Sequence, residues 1–253
     1  MKRKTDAILN DVNLISVNNK IIAVRVLENA VQDELVTESN HALPGQAITG
    51  QKRPQLTVSV FAKIKELYDM QSRMAVIDQI NTWAAKGGML KLSYKPGKQL
   101  PVKLVKPASA GDIRQYNNEI ELLFASNGFA YWQDVSPAAY ALSEGAGSVA
   151  VPGNAPTTVD ATVICRSSIT TLTLALADSE IVLNGIGASS GDVISITHDA
   201  YGRMSIKNGG ESLYPYLSEA SDDCLIVPHG VQSYAVASSG TVEVLLYIKG
   251  RWL

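Results

Sequence analysis

The residue types able to do chemistry are present in this chain, but their spacing joins none of them into a site. Gly187-Ala188-Ser189-Ser190-Gly191 has the Gly-x-Ser-x-Gly spacing of a hydrolase nucleophile elbow. That chemistry needs the serine on a sharp strand-to-helix turn, with an acid and a histidine later in the chain. Here Asp192-Val193-Ile194-Ser195-Ile196-Thr197 follows and alternates like a strand, so Ser189 reads as a turn residue. His41, His198 and His229 lie far apart, without the i, i+4 or short-loop spacing of a metal site, and each reads as a surface or turn residue. Cys165 and Cys224 sit in apolar runs without a Cys-x-x-Cys partner and read as small core hydrophobes. Asp222-Asp223 lacks the alternating ligands and central glycine of a calcium loop and reads as a solvated turn. No glycine-rich phosphate loop joins a strand to a helix. The expectation is a protein that is not an enzyme, with no catalytic residues, no metal and no cofactor.

Lys91, Lys95, Lys98, Lys103 and Lys106 gather around a Pro96-Gly97 turn, with Tyr94 among them. Such a patch either faces an anion or is the solvent side of a hairpin whose Leu92, Leu100, Val102 and Leu104 face a core. No arginine or further aromatic interleaves, so the hairpin reading is preferred and no sequence-specific nucleic-acid partner is expected.

The elements that would carry these residues are mostly strands. In the first half, residues 20–27 are rich in Ile and Val. Leu56, Val58, Val60, Ala62 and Ile64 alternate, which puts one face of a strand on a core. Residues 34–54 between them are polar and hold Pro44, Gly45, Gly50 and Pro54, as in a functional excursion or an extended hairpin. Met74, Ile77, Ile80 and Trp83, joined by Ala84, mark one amphipathic helix that stops at Gly87-Gly88. Residues 89–94 and 99–104 form the lysine-rich hairpin, and residues 120–124 a closing strand.

The second half repeats period-two alternation: Val159, Ala161, Val163, Cys165; then Leu172, Leu174, Leu176; then Ile194, Ile196; then Val242, Val244, Leu246, Ile248. Glycine turns separate these runs every ~8–12 residues, the signature of an all-β sandwich or barrel. Residues 145–156, small and Gly/Pro-rich, read as a linker. The division is therefore residues 1–140, a linker over 141–156, and residues 157–253. Charge divides similarly: 17 Lys and Arg against 13 Asp and Glu up to Asp134, then 5 against 11. Apolar residues are 46% of the chain, ample for packed cores, yet no apolar run approaches the ~20 residues of a membrane span. Lys2-Arg3-Lys4 resembles the start of a signal peptide, but Asp6, Asn10, Asp11 and Asn13 stand where its apolar core belongs.

Taken in order, these segments resemble the distal tail proteins of long-tailed, non-contractile bacteriophages. In the first half the resemblance rests on Arg53-Pro54-Gln55-Leu56-Thr57-Val58-Ser59-Val60-Phe61-Ala62 and on the helix from Arg73 to the Gly87-Gly88 stop. It continues through Met89-Leu90-Lys91-Leu92-Ser93-Tyr94, Ile120-Glu121-Leu122-Leu123-Phe124 and Tyr131-Trp132. In the second half it rests on Pro152-Gly153-Asn154-Ala155-Pro156 ahead of a strand and on the closing run that ends Arg251-Trp252-Leu253. The resemblance implies a mainly β chain with one principal helix: an N-terminal β-sandwich or split-barrel domain that forms rings, and a C-terminal galectin-like sandwich. It also implies a homohexameric hub at the virion tail tip, made in the bacterial host cytoplasm, between a tail tube protein and tail-tip or baseplate proteins. The genome would pass through its lumen, with no membrane partner. The ring contact is expected at Glu38, Asn40, His41, Leu43, Gln46 and Ile48 in the polar excursion, and at Thr57, Ser59 and Phe61 on the strand after it.

Two other readings come from different classes. A carbohydrate-binding sandwich would use Tyr214, Tyr216, Tyr234 and Trp252, and a hydrolase would use Ser189. Another ring-forming tail tube component shares the expected architecture.

Overall fold

A computed structural model describes residues 5–29, 34–39, 46–52, 54–65, 69–109, 118–128, 130–199 and 201–253, with the backbone alone for 34–39 and 46–52. The chain divides into two compact units, Met1–Tyr131 and Trp132–Leu253.

The first unit is built on one antiparallel sheet. Its strands are β1 (Ala7–Leu9), β2 (Val12–Asn13), β3 (Ile21–Glu28), β6 (Thr57–Ile64), β7 (Gly88–Leu92), β8 (Lys98–Lys106) and β9 (Glu119–Ser126). They lie in the order β2-β1-β7-β8-β9-β6-β3. β4 (Glu34–Ser39) and β5 (Gln46–Lys52) form a separate two-stranded hairpin. The polar excursion is thus an extended hairpin.

On β6 the alternating residues Leu56, Val58, Val60, Ala62 and Ile64 are all buried, as the period-two pattern predicts. Leu90, Leu92, Leu100 and Val102 of β7 and β8 are buried too, while Leu104 is half-buried. A short helix α1 (Leu14–Val17) follows β2. The principal helix is α2 (Met70–Ala85), capped by the Asp69 carboxylate, which accepts from the Ser72 N–H at 2.7 Å. It stops where the Gly87 N–H turns back to the Ala84 carbonyl at 3.0 Å.

The buried stripe of α2 is Val76, Ile77, Ile80 and Ala84, and Met74 is 39% exposed. A spacing of three drifts around a helix of 3.6 residues per turn, so the period-three reading overshot the core face at its N-terminal end. Trp83 is only half-buried. Its ring meets Phe124 of β9 edge-on at 6.2 Å, and its Nε1–H donates to the Val12 carbonyl at 3.0 Å.

The second unit is a sandwich. Its strands are β10 (Trp132–Asp134), β11 (Ala138–Leu142), β12 (Gly145–Val151), β13 (Thr157–Cys165), β14 (Ile169–Leu176), β15 (Ser179–Ala188), β16 (Val193–His198) and β17 (Met204–Asn208). They continue with β18 (Glu211–Ser212), β19 (Ile226–Val227), β20 (Gly230–Ser238), β21 (Val242–Ile248) and β22 (Arg251–Trp252). One sheet runs β11-β21-β13-β16-β17-β18, with β19 alongside β13; the other runs β12-β20-β14-β15. β10 pairs with β22, Trp132 opposite Trp252. All four alternating runs read from the sequence point into one core, with Val159, Leu174, Ile194 and Leu246 fully buried.

Within the segment expected as a linker, Gly145–Val151 is β12, which pairs with β20 residue for residue from Gly145↔Val236 to Val151↔Gly230. Small residues suit a linker and a flat, closely packed strand equally well. Val149 and Val151, buried at alternate positions, carry the strand signal. Among the described residues no helix is long and apolar enough to cross a membrane.

Candidate assembly site

The residues singled out for chemistry are occupied with structure. The turn before β16 is tied by Asp192: its carboxylate accepts from the Ser189 N–H at 2.9 Å and from Asn208 Nδ2 at 3.0 Å. The Asn208 hydrogen bond, then the Ser189 N–H, hold Asp192 below the ordinary aspartate range. The Ser190 hydroxyl donates to the Arg166 carbonyl. Ser189 leads into strand β16, with no nucleophile elbow.

His198, read from the sequence as a surface or turn residue, has a side chain only 2% exposed. Leu225 N–H donates to its Nε2 at 3.3 Å, so the ring proton resides on Nδ1 and is donated to Asp160 at 3.0 Å. The same carboxylate accepts the His198 backbone N–H at 2.9 Å. Its neighbours on β13 and before β19 make it a buried strut between strands. Nothing in the spacing of three isolated histidines reveals this, since Asp160 and Leu225 are remote in sequence. His229 is exposed, and His41 lies outside the described residues.

Cys165 is buried in the sandwich core, where burial and then the Asp192 charge push its thiol pKa up. Burial, then Asp223 and Asp222, do the same to half-buried Cys224. Neither is an activated thiolate. Asp222 accepts the Glu180 N–H at 2.8 Å and returns its own N–H to the Glu180 carbonyl, sealing the outer edge of β15. Of the lysines, Lys91 meets Asp11 at 2.6 Å, Lys95 meets Glu28 at 2.8 Å and Lys106 meets Glu121 at 3.5 Å. Glu28 also accepts the Tyr94 hydroxyl at 2.8 Å; burial, then this bond, raise the tyrosine's pKa. The hairpin reading of this cluster accounts for these pairs.

The expected ring residues that the structure describes fall on three strands. Glu38 is on β4, Gln46 and Ile48 are on β5, and Asn40, His41 and Leu43 lie outside the described residues. Thr57, Ser59 and Phe61 share the face of β6 opposite its core residues. Thr57 Oγ1 accepts from Asn29, Ser59 is 4% exposed, and the Arg25 guanidinium lies 3.9 Å over the Phe61 ring. β6 is interior to the sheet, between β9 and β3. Among the described residues β3 is the last strand of the sheet on that side, and its Ile22 and Leu27 are 42% and 49% exposed.

The four aromatics of the carbohydrate reading are spread out. Tyr214 and Tyr216 sit on one 3-10 turn, Tyr234 on β20, and Trp252 on β22, where its Nε1–H donates to Asp134 at 2.9 Å. A cleft of ≈ 340 Å³ opens beside Tyr201, Arg203, Met204, Tyr214, Leu217 and Cys224, so Tyr214 is the one member of the set that lines it. The Tyr214 hydroxyl is committed to the Met204 carbonyl.

Compared with solved structures, the chain superposes on the Dit (gp 19.1) protein of phage SPP1 at a TM-score of 0.76, over 98% of this chain and 99% of that one, at 14% identity. This is the Dit fold. The Dit protein of SPP1 is described as a paradigm of the hub adsorption apparatus in phages that infect Gram-positive bacteria. A chain of the activated phage p2 baseplate aligns over 98% of this chain at a TM-score of 0.49 and 10% identity. No family model and no curated protein matches the sequence. At 14% identity the likeness is one of fold, and in this chain that fold rests on strands such as β6, β13 and β21 that alternate buried residues along their length.

Proposed function

We propose that this chain is a structural hub protein of a phage tail tip. The observation that carries the reading is the Dit fold over nearly the full length of both chains. Six copies form a ring through the first unit, which joins a tail tube protein on one side to tail-tip or baseplate proteins on the other and lets the genome through its lumen. A ring needs a heterologous contact that closes, and open strand edges and hairpins supply such contacts. The first unit offers both: the β3 edge with exposed Ile22 and Leu27, and the self-paired hairpin β4–β5. Glu38, Asn40, His41, Leu43, Gln46 and Ile48 then reach the neighbouring copy, with the outer face of β6 beside the contact.

Light scattering on the full-length chain tests the ring. The expected result is a discrete species near six times the 27.1 kDa chain mass, or a pair of such rings. Negative-stain images of it should show a six-fold annulus with an open centre. A strict monomer at every concentration, with tail tube and baseplate proteins also failing to assemble it, would overturn the reading.

A further inference from the structure

The two outer strands of the four-stranded sheet in the second unit are treated differently. On β15 the open side is sealed: Glu180 and Val182 N–H donate to Asp222 and Ser221 side chains, and their carbonyls accept the Asp222 and Ser218 N–H groups. On β12, among the described residues, the Tyr140 hydroxyl at the Ala150 carbonyl is the sole hydrogen bond outside the ladder with β20. That bond places the Ala150 carbonyl on the open side. By the alternation of an antiparallel ladder, Ala146 and Ser148 turn their N–H and C=O groups the same way. Gly145 to Ser148 and Ala150 are exposed.

Edge strands are ordinarily guarded by lysine, proline, a bulge or an inward charge. β12 is Gly-Ala-Gly-Ser-Val-Ala-Val, with no charge and no proline, in unbroken register along its whole length. Glu144, just before it, is engaged by the Ser238 hydroxyl at 3.0 Å and the Val242 N–H at 2.9 Å. Its carboxylate is thereby drawn back to its own sandwich.

The residue order of β12 suits one occupant. A two-fold axis through Ser148 would set Ser148 against Ser148, Ala146 against Ala150, Gly147 against Val149, and Gly145 against Val151 of a second copy. On the core-side face a glycine therefore receives a valine at each such pair. The Tyr234 ring and its hydroxyl already lie over Gly147, where a β-carbon would fall 2.6 Å from them, so the space a side chain would take there is filled from within the same copy. No like charges come together across the axis, although residues from Val135 onward hold 11 Asp and Glu against 5 Lys and Arg. The Ala150 carbonyl has two lone pairs and can keep Tyr140 while accepting from the second copy.

We propose that β12 is a self-pairing edge: two copies of this chain join their four-stranded sheets antiparallel through Gly145–Val151 into one continuous sheet. The contact is separate from the ring contact of the first unit.

The test uses the full-length chain in two variants. Ser148→Lys places a charge on an exposed edge position and should halve the mass measured by light scattering, whatever the ring size, while the far-UV circular dichroism spectrum stays that of the folded chain. If the ring reading alone is wrong, the masses go from dimer to monomer. If this proposal alone is wrong, both proteins have the same mass. Ser148→Cys should form a disulfide-linked dimer on mild oxidation, reversed by reductant, because residues at a two-fold hydrogen-bonded pair lie ~5.5 Å apart at Cα. Ala237→Cys, on an exposed face of β20, should not. Unchanged mass in the first variant together with no specific dimer in the second would overturn the proposal, and would also be the result if another protein's strand occupied this edge.

Discussion

Asn10 shows how much of the first unit rests on single side chains. It sits with Asp11 at positive φ in the β1–β2 turn. Its Nδ2 donates to the Gly87 carbonyl at 2.8 Å and its Oδ1 accepts the Met89 N–H at 3.0 Å, which clamps the exit of α2 to the start of β7. Gly88 has φ +133, and a β-carbon there would lie 2.0 Å from Asn10 Oδ1. Gly88→Ala should therefore cost about 2–4 kcal/mol, from backbone strain and the displaced amide. Asn10→Ala should cost about 1–3 kcal/mol. In the double variant the clash is gone, so urea denaturation should give less than the sum of the two; strict additivity would show that Asn10 and Gly88 do not meet. The sequence shows Gly87-Gly88 as a stop but gives no reason for the second glycine, because its partner lies 78 residues upstream. His198 was illegible for the same cause. Asp192 adds a pH term. Its folded pKa is depressed below the 3.8 of a free aspartate. Its contribution is thus present above that value and lost as pH falls through the folded pKa. Urea midpoints should drop between pH 5 and 2, and less steeply in Asp192→Asn.

Among elements, those with an unambiguous period were readable. β6, β13 and β21 each bury every second residue, as β14 does from Leu172 to Leu176, and an alternating run admits only one face toward a core. α2 was readable in existence but not in phase, because Met74 and Val76 are both apolar and only the packed sheet decides between them. Core deletions on the helix report that phase directly. Ile80→Ala should cost about 2–5 kcal/mol, and Val76→Ala somewhat less, since both are buried. Met74→Ala should stay within about 0.5 kcal/mol. Equal losses at residues 74 and 76 in denaturant titrations would contradict the observed stripe. β12 escaped the sequence reading because its two glycines and two alanines outweigh its two valines in composition. The β1–β2 hairpin escaped because strands of three and two residues are too short to display a period.

At the scale of the whole molecule, the same alternation closes twice, giving the sheet of Met1–Tyr131 and the sandwich of Trp132–Leu253. Each unit has its own set of fully buried side chains: Ile80, Leu90, Leu100 and Phe124 in the first, Leu172, Leu174, Leu183 and Leu246 in the second. A core deletion removes transfer energy and leaves a cavity only in the unit that holds it. Scanning calorimetry should therefore resolve two transitions. Ile80→Ala should lower one of them and Leu174→Ala the other, each by roughly 5–15 °C for a loss of ~2–4 kcal/mol in a domain of this size. Copies joined into rings would make the first transition depend on protein concentration, because an assembly that binds only the folded state raises apparent stability by mass action. With Ser148→Lys, only the concentration dependence of the second transition should disappear. A single transition that shifts as a whole with either core deletion would mean that the two units unfold as one cooperative body, and assembly through one would then stabilise both.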